Sequence, residues 1–155
     1  MKETKISTVK KETKISTIEN ENKPVGCLEG DCWNNFSKKK YPNGYYIGEF
    51  NNGARNGQGT FVWSDGDKYI GDWKDDNRTG QGTFIWNSGA KYTGDYIKGE
   101  RTGKGTMNYS DGGKYTGDFL KGERHGKGIL IGSSGNKYEG DFKKNKREGR
   151  GIFIW

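Results

Sequence analysis

A chain of 155 residues, 28% hydrophobic and 14% aromatic, with 27 glycines and a net charge of +7, is bounded as one domain at most. No stretch approaches the roughly 20 apolar residues of a membrane-crossing helix, and no apolar run behind the first lysine reads as a signal peptide. The expectation is a soluble, cytoplasmic protein, with an exported or membrane-peripheral one as the alternative if a leader has been removed.

Residues 2–10, KETKISTVK, are almost copied in 11–19. The apolar members Ile6, Val9, Ile15 and Ile18 do not share a helical face. A segment this polar cannot offset its ordering entropy by burial, so 1–23 is predicted to be a disordered tail. Residues 24–45 read as a degenerate block that caps the N-terminal end of a repeat array. It holds Cys27 and Cys32, which admit either a disulfide in an oxidising compartment or two small packing residues in a reducing one.

From Tyr46 onward a period takes over. Tyr46, Tyr69, Tyr92, Tyr115 and Tyr138 stand 23 residues apart and open five blocks over 46–155. Such a period means a repeat protein in which neighbours contact neighbours. In the block Tyr69–Lys91, Tyr69, Gly71 and Trp73 alternate on one face of a strand. Gly82, Phe84 and Trp86 alternate on a second strand, with a loop through Asp75, Asp76, Asn77, Arg78 and Gly80 between. Each block is therefore predicted to be a β-hairpin with an aromatic and a polar face, and the strand glycines leave room for rings to lie against the backbone. One hairpin buries too little to stand alone, so the array is expected to be all-β: an elongated, single-layer antiparallel sheet of stacked hairpins.

The block pattern Y-x-G-[DE]-[FWY]-x(6)-G-x-G-x-[FML]-x-[WY]-x-x-G resembles the MORN repeat through five consecutive blocks. The segment Cys27–Cys32, CLEGDC, is similar to the cysteine-containing start of many bacterial MORN proteins. The resemblance implies a single-layer sheet with aromatics along a groove, scaffolding through protein–protein contact, and phospholipid binding as the alternative. It implies no enzyme, since catalysis in such proteins belongs to a separate domain. Two departures stand out. Gly132 occupies the place of Trp63, Trp86, Tyr109 and Trp155, so the groove is expected to lose a ring there, and the fifth block stops at Trp155 before a closing turn.

Candidate chemistry is sparse. Neither a catalytic residue, a cofactor site nor a metal site is expected: Gly103-Lys104-Gly105-Thr106 lacks phosphate-loop spacing, and the lone His125 has no positioned nucleophile. Arg55, Arg78, Arg101, Arg124 and Arg147 recur at the tenth place, and Glu49, Asp72, Asp95, Asp118 and Asp141 at the fourth; they are expected to pair within or between hairpins. The groove candidates are Tyr46, Phe50, Phe61, Trp63, Tyr69, Trp73, Phe84, Trp86, Tyr92, Tyr96, Tyr109, Tyr115, Phe119, Tyr138 and Phe142. They would seat a peptide or helix from a protein partner.

Charge climbs from −1 in block 46–68 to +2 in the last two blocks. Lys143, Lys144, Lys146, Arg147 and Arg150 form a basic end suited to an acidic partner or an anionic membrane surface. Nucleic acid is not expected, because the fourth-place acids would repel phosphates along the whole array. The edge at 150–155 offers free backbone groups, so a homodimer through it is a further expectation.

Overall fold

Residues 23–155 form one open antiparallel sheet in the computed structural model that describes them; the tail expected over 1–23 lies, but for Lys23, outside the described residues. The strands are β1 (Cys27–Glu29), β2 (Asn35–Tyr41), β3 (Gly44–Asn51), β4 (Ala54–Trp63), β5 (Lys68–Lys74) and β6 (Asn77–Ile85). They continue as β7 (Lys91–Ile97), β8 (Glu100–Asn108), β9 (Lys114–Leu120), β10 (Glu123–Ile131), β11 (Lys137–Lys143) and β12 (Lys146–Ile154). Spatial order follows chain order throughout, so each block contributes one hairpin and pairs only with its neighbours.

Three local devices turn each block into the same hairpin. The first is a two-residue turn with both residues at positive φ: Asn52-Gly53, Asp75-Asp76, Lys98-Gly99, Lys121-Gly122 and Lys144-Asn145. This is the type I′ geometry whose twist matches the flanking strands. The connection is shorter than the sequence suggests. Arg78 lies inside β6, paired with Trp73, rather than in a loop, because the turn needs only two residues.

The second device is a bulge at the first glycine of Gly-x-Gly. Gly80, for example, takes φ +51°, and the register slips between Gly71 and Asp72. The slip brings the fourth-place carboxylate against the strand: Asp72 accepts the Gln81 amide at 2.7 Å, and Asp95 accepts the Lys104 amide at 2.8 Å.

The third device is the second glycine. It pairs with glycines on both sides, giving an unbroken row across the sheet from Gly48 to Gly151. Bare backbone lets a tyrosine ring lie flat on the row. Each phenol donates to the carbonyl three residues on, as Tyr69 does to Asp72 at 3.1 Å and Tyr115 to Asp118 at 2.9 Å.

A single layer has a core because these rings pack along it. Tyr92 stands edge-on to Tyr96 of its own block at 5.4 Å and to Phe119 of the next at 5.0 Å. Tyr46, Tyr69 and Tyr115 repeat the arrangement, and all four tyrosines are fully buried. Edge-to-face contacts of this kind add about 0.5–1.5 kcal/mol each beyond the area they bury. Half of them link one block to the next, which is what makes the stack cooperative.

The N-terminal end is closed by a disulfide between Cys27 and Cys32. Of the two roles the sequence left open, the cysteines take this one. Cys32 is buried, and its amide donates to Ser37 Oγ at 3.0 Å. The Trp33 amide donates to the Asp31 carboxylate, holding that acid below its usual range. Reducing the cystine is expected to loosen this end by about 2 kcal/mol, the loop-closure entropy of so short a ring. Amide exchange of Lys40, which donates to the Gly26 carbonyl at 2.7 Å, should then accelerate while β5–β8 stay protected. Unchanged exchange at Lys40 would show that the cap holds without the bond.

Candidate functional site

The fifteen groove candidates all lie on one face, but they do not all line a groove. Tyr46, Phe50, Phe61, Tyr69, Trp73, Tyr92, Tyr96, Tyr115, Phe119 and Phe142 are buried and form the core. That result corrects the reading of four of the five signature tyrosines as a binding surface: the glycine row draws the rings of Tyr46, Tyr69, Tyr92 and Tyr115 down onto the backbone, where none is exposed. Trp63, Phe84, Trp86, Tyr109 and Tyr138 remain half-buried over that core. Tyr41, Met107 and Leu130 join them: Met107 and Leu130 stand at the same place of their blocks as Phe61 and Phe84, and Tyr41 lies in the degenerate block before the first repeat.

Trp63 shows how this outer stripe is built. Its ring lies 4.6 Å from Phe61 of its own block and 5.3 Å from Phe84 of the next, bridging two hairpins. Trp86 stacks on Phe84 at 4.6 Å and lies under the Arg101 guanidinium at 5.6 Å.

The repeated arginines belong to this face. Arg55 sits 4.4 Å over Trp73, and Arg78 lies 5.4 Å over Tyr96. Their outer nitrogens donate to the turn of the following block: Arg78 to Gly99 O, Arg101 to Gly122 O and Arg124 to Asn145 O, each at 2.7 Å. The fourth-place acids lie on the opposite face. The expected pairing of the two charge series therefore does not occur; strand alternation separates them, and each serves its own face. The acids instead take partners from the neighbouring strand: Lys104 bridges to Asp118 and Lys127 to Asp141, each at 2.5 Å, while Gln58 and Gln81 hydrogen-bond Asp72 and Asp95. Partial burial opposes ionisation of Asp118, but the Lys104 ammonium and the Lys127 amide outweigh it and hold the carboxyl below its usual range. For Asp141 the Lys127 hydrogen bond is the main cause of the same shift.

That opposite face has two features that the repeat pattern does not announce. One is a trough of about 960 Å³ with glycines such as Gly105 and Gly128 as its floor. Thr106 and Ile129 stand on one bank and Lys104 and Lys127 on the other, but both ammonium groups are neutralised, by Asp118 and Asp141 respectively. The other is a lysine row. Lys68, Lys91, Lys114 and Lys137 share a register line with Val62, Ile85, Asn108, Ile131 and Ile154. With strands about 4.8 Å apart, successive lysines stand about 10 Å apart. A count of the twenty-third place in each block would have found them.

The basic end is not one patch. Lys144 lies in a turn, Lys143 reaches Glu148 at 3.7 Å, Arg147 stacks over Phe153 on the aromatic face, and Arg150 lines the trough behind it. Lys146 pairs with Lys143 across the last hairpin.

Burial has an electrostatic consequence. It raises the phenol pKa of Tyr96 and Tyr115 to about 12 and lifts those of Tyr46, Tyr69 and Tyr92 further. The unfolded chain would ionise these phenols near pH 10. Their stabilising contribution is thus complete below about pH 10 and is lost as pH rises through about 12 and above. Near-ultraviolet tyrosinate absorbance followed beside the β-sheet circular dichroism should show these phenols ionising only as the sheet melts. Ionisation of all nine tyrosines near pH 10 with the sheet intact would contradict it.

No curated protein is similar enough to match this chain. The MORN repeat pattern matches it five times in succession, at residues 46–68, 69–91, 92–114, 115–137 and 138–155. These limits coincide with the hairpins that carry the tyrosine, the glycine row and the bridging arginine, and the chain belongs to the MORN repeat family, whose repeats serve in protein and membrane interaction.

Proposed function

We propose that this protein is a non-catalytic scaffold that holds a protein partner along the outer aromatic stripe. The observation that carries this reading is the division of the rings. Four of the five block-opening tyrosines are spent on the core, while Trp63, Phe84, Trp86 and Tyr109 stay half-exposed. Half-buried rings on one face, with Arg78 over Phe84 and Arg101 over Trp86, suit the apolar side chains of an extended segment or a helix. The cystine is the kind of bond kept outside the reducing cytosol, which favours an oxidising compartment over the cytoplasm as its place of work.

A photo-crosslinking residue at position 86 tests this in cells, with position 70, which is exposed on the opposite face, as the control. A discrete adduct from 86 that is absent from 70 is expected, and it should disappear with Trp63→Ala. Equal yields from the two positions would remove the stripe as the binding surface.

The lysine row supports a second reading, attachment to an anionic membrane. Lys68, Lys91 and Lys114 alternate with Val62, Ile85 and Ile131, and each contributes about 1 kcal/mol near such a surface, whereas Lys137 is paired with Glu139. Co-sedimentation with phosphatidylserine-containing vesicles against pure phosphatidylcholine decides it. Selective binding that persists at physiological salt and is lost in Lys68→Glu/Lys91→Glu/Lys114→Glu would put the membrane first.

A further inference from the structure

The aromatic stripe has one interruption. Near its start, a recess of about 320 Å³ lies between Arg55, Phe61, Trp73 and Arg78, with the Trp63 ring as a wall. Three blocks on, the equivalent recess lies between Arg124, Leu130, Phe142 and Arg147 and holds about 550 Å³. No ring stands there, because the place of Trp63 is taken by Gly132. A second recess of about 350 Å³ adjoins it along Tyr109 and Gly132, and the two share Arg124, Leu130 and Asn136.

Trp63 bridges Phe61 to Phe84 across a block boundary. The corresponding residues at the interruption are Leu130 and Phe153, and no ring bridges them. The surroundings still have the form of a ring site: a side chain of the own block below, an aromatic of the next block beside it, and the Arg147 guanidinium 5.3 Å over Phe153. Guanidinium groups favour the face of an aromatic ring. No carboxylate lines the larger recess, while Arg124, Lys146 and Arg147 do.

We propose that this notch is the selective pocket of the scaffold, receiving an aromatic side chain that a protein partner supplies in place of the missing ring, from within an acidic segment. The proposal rests on the reading of the stripe as a protein-binding surface and adds to it the partner's chemistry. The ring would complete the stack between Leu130 and Phe153, and flanking carboxylates would meet Arg124 and Arg147 in the larger recess, where no carboxylate stands; Asp111 lines the smaller one.

Gly132 makes the test clean. Its backbone is not in the left-handed region, and a Cβ added there would crowd only the tip of the Asn136 side chain, which can swing aside. Gly132→Trp thus restores the ring found in other blocks and closes the pocket without straining the chain. The probe is the peptide acetyl-Asp-Glu-Trp-Glu-Asp-amide, titrated against the full chain and followed by amide chemical shifts.

Saturable shifts centred on Leu130, Gly132, Asn136 and Arg147 are expected. Binding should weaken at least about tenfold with Gly132→Trp, and likewise when the peptide's tryptophan becomes alanine or its acids become lysines. Gly132→Tyr, which copies Tyr109, serves if the tryptophan variant folds poorly. Shifts that centre on Trp63 and Trp86 and survive both substitutions would overturn the pocket while leaving the stripe as the binding surface. No shift at millimolar peptide would overturn the pocket alone, since cross-linking from position 86 judges the stripe separately.

Discussion

Gly105→Ala is expected to destabilise the array by about 3–5 kcal/mol, the range seen when a large buried ring loses its site. The size runs against habit, since replacing glycine by alanine usually gains about 0.4–1 kcal/mol where the backbone permits it. The backbone does permit it here, because Gly105 carries no left-handed φ. Space does not. A Cβ at Gly105 would lie 2.5 Å from Tyr92 Cε2 and from its hydroxyl, and 2.7 Å from Cζ. The ring has nowhere to go, because Tyr96 and Phe119 hold its edges and its hydroxyl is tied to Asp95 O. One methyl group must therefore displace a ring that joins two blocks.

Gly112→Ala is the matched control. Nothing lies within 4 Å of its added Cβ, but its φ is +91°, so strain alone costs about 1 kcal/mol. Urea unfolding midpoints separate the two. Near-equal losses would show that the tyrosine is free to move, and the core would then not depend on rings seated on the glycine row.

Much of the fold can be read from the period alone. A tyrosine, two glycines and alternating aromatics at fixed intervals specify a hairpin and its buried face, because strand alternation converts spacing into sidedness. What the period hides is depth. Tyr69 and Trp86 are both aromatic and share a face within one block, yet one is core and the other half-buried over it. The difference lies in what stands opposite: Tyr69 covers the bare pair Gly71 and Gly82, whereas Trp86 has Phe84 beneath it.

The charged positions mislead for a related reason. The tenth-place arginine and fourth-place acid look like partners in one dimension, but Arg78 stands opposite Trp73 while Asp72 stands opposite Thr79, so strand alternation puts them on opposite faces. The bulge at the first glycine is hidden likewise: Gly80 takes φ +51°, but the sequence shows only two glycines with Gln81 between them. The notch at Gly132, by contrast, is visible as a departure from pattern; the cations and the enlarged space around it emerge only once β10, β11 and β12 are placed side by side.

Tyr92→Ala should also cost about 3–5 kcal/mol, and its sharper consequence appears in combination. Each tyrosine and its glycine are two halves of one fit. Once the ring is gone, a methyl group at Gly105 meets empty space, so Tyr92→Ala/Gly105→Ala should be scarcely less stable than Tyr92→Ala alone. The coupling expected from the double-mutant cycle is then nearly the whole Gly105→Ala penalty, about 3–5 kcal/mol, at or above the upper end for residues in contact. Tyr92→Phe sets the scale for the hydroxyl: losing its 3.1 Å bond to Asp95 O should cost only about 1 kcal/mol and leave the Gly105→Ala penalty in full. Additive costs in the cycle would mean that Gly105→Ala acts through the strand backbone rather than through the ring. The pair Tyr115 and Gly128 provides an independent repetition, since a Cβ built at Gly128 meets the Tyr115 ring in the same way. Agreement between the two cycles would make the ring-on-glycine fit the unit that each block adds to the stack. Because the fit at Tyr92 also positions Phe119, breaking it should uncouple the blocks on either side and split a single unfolding transition into two.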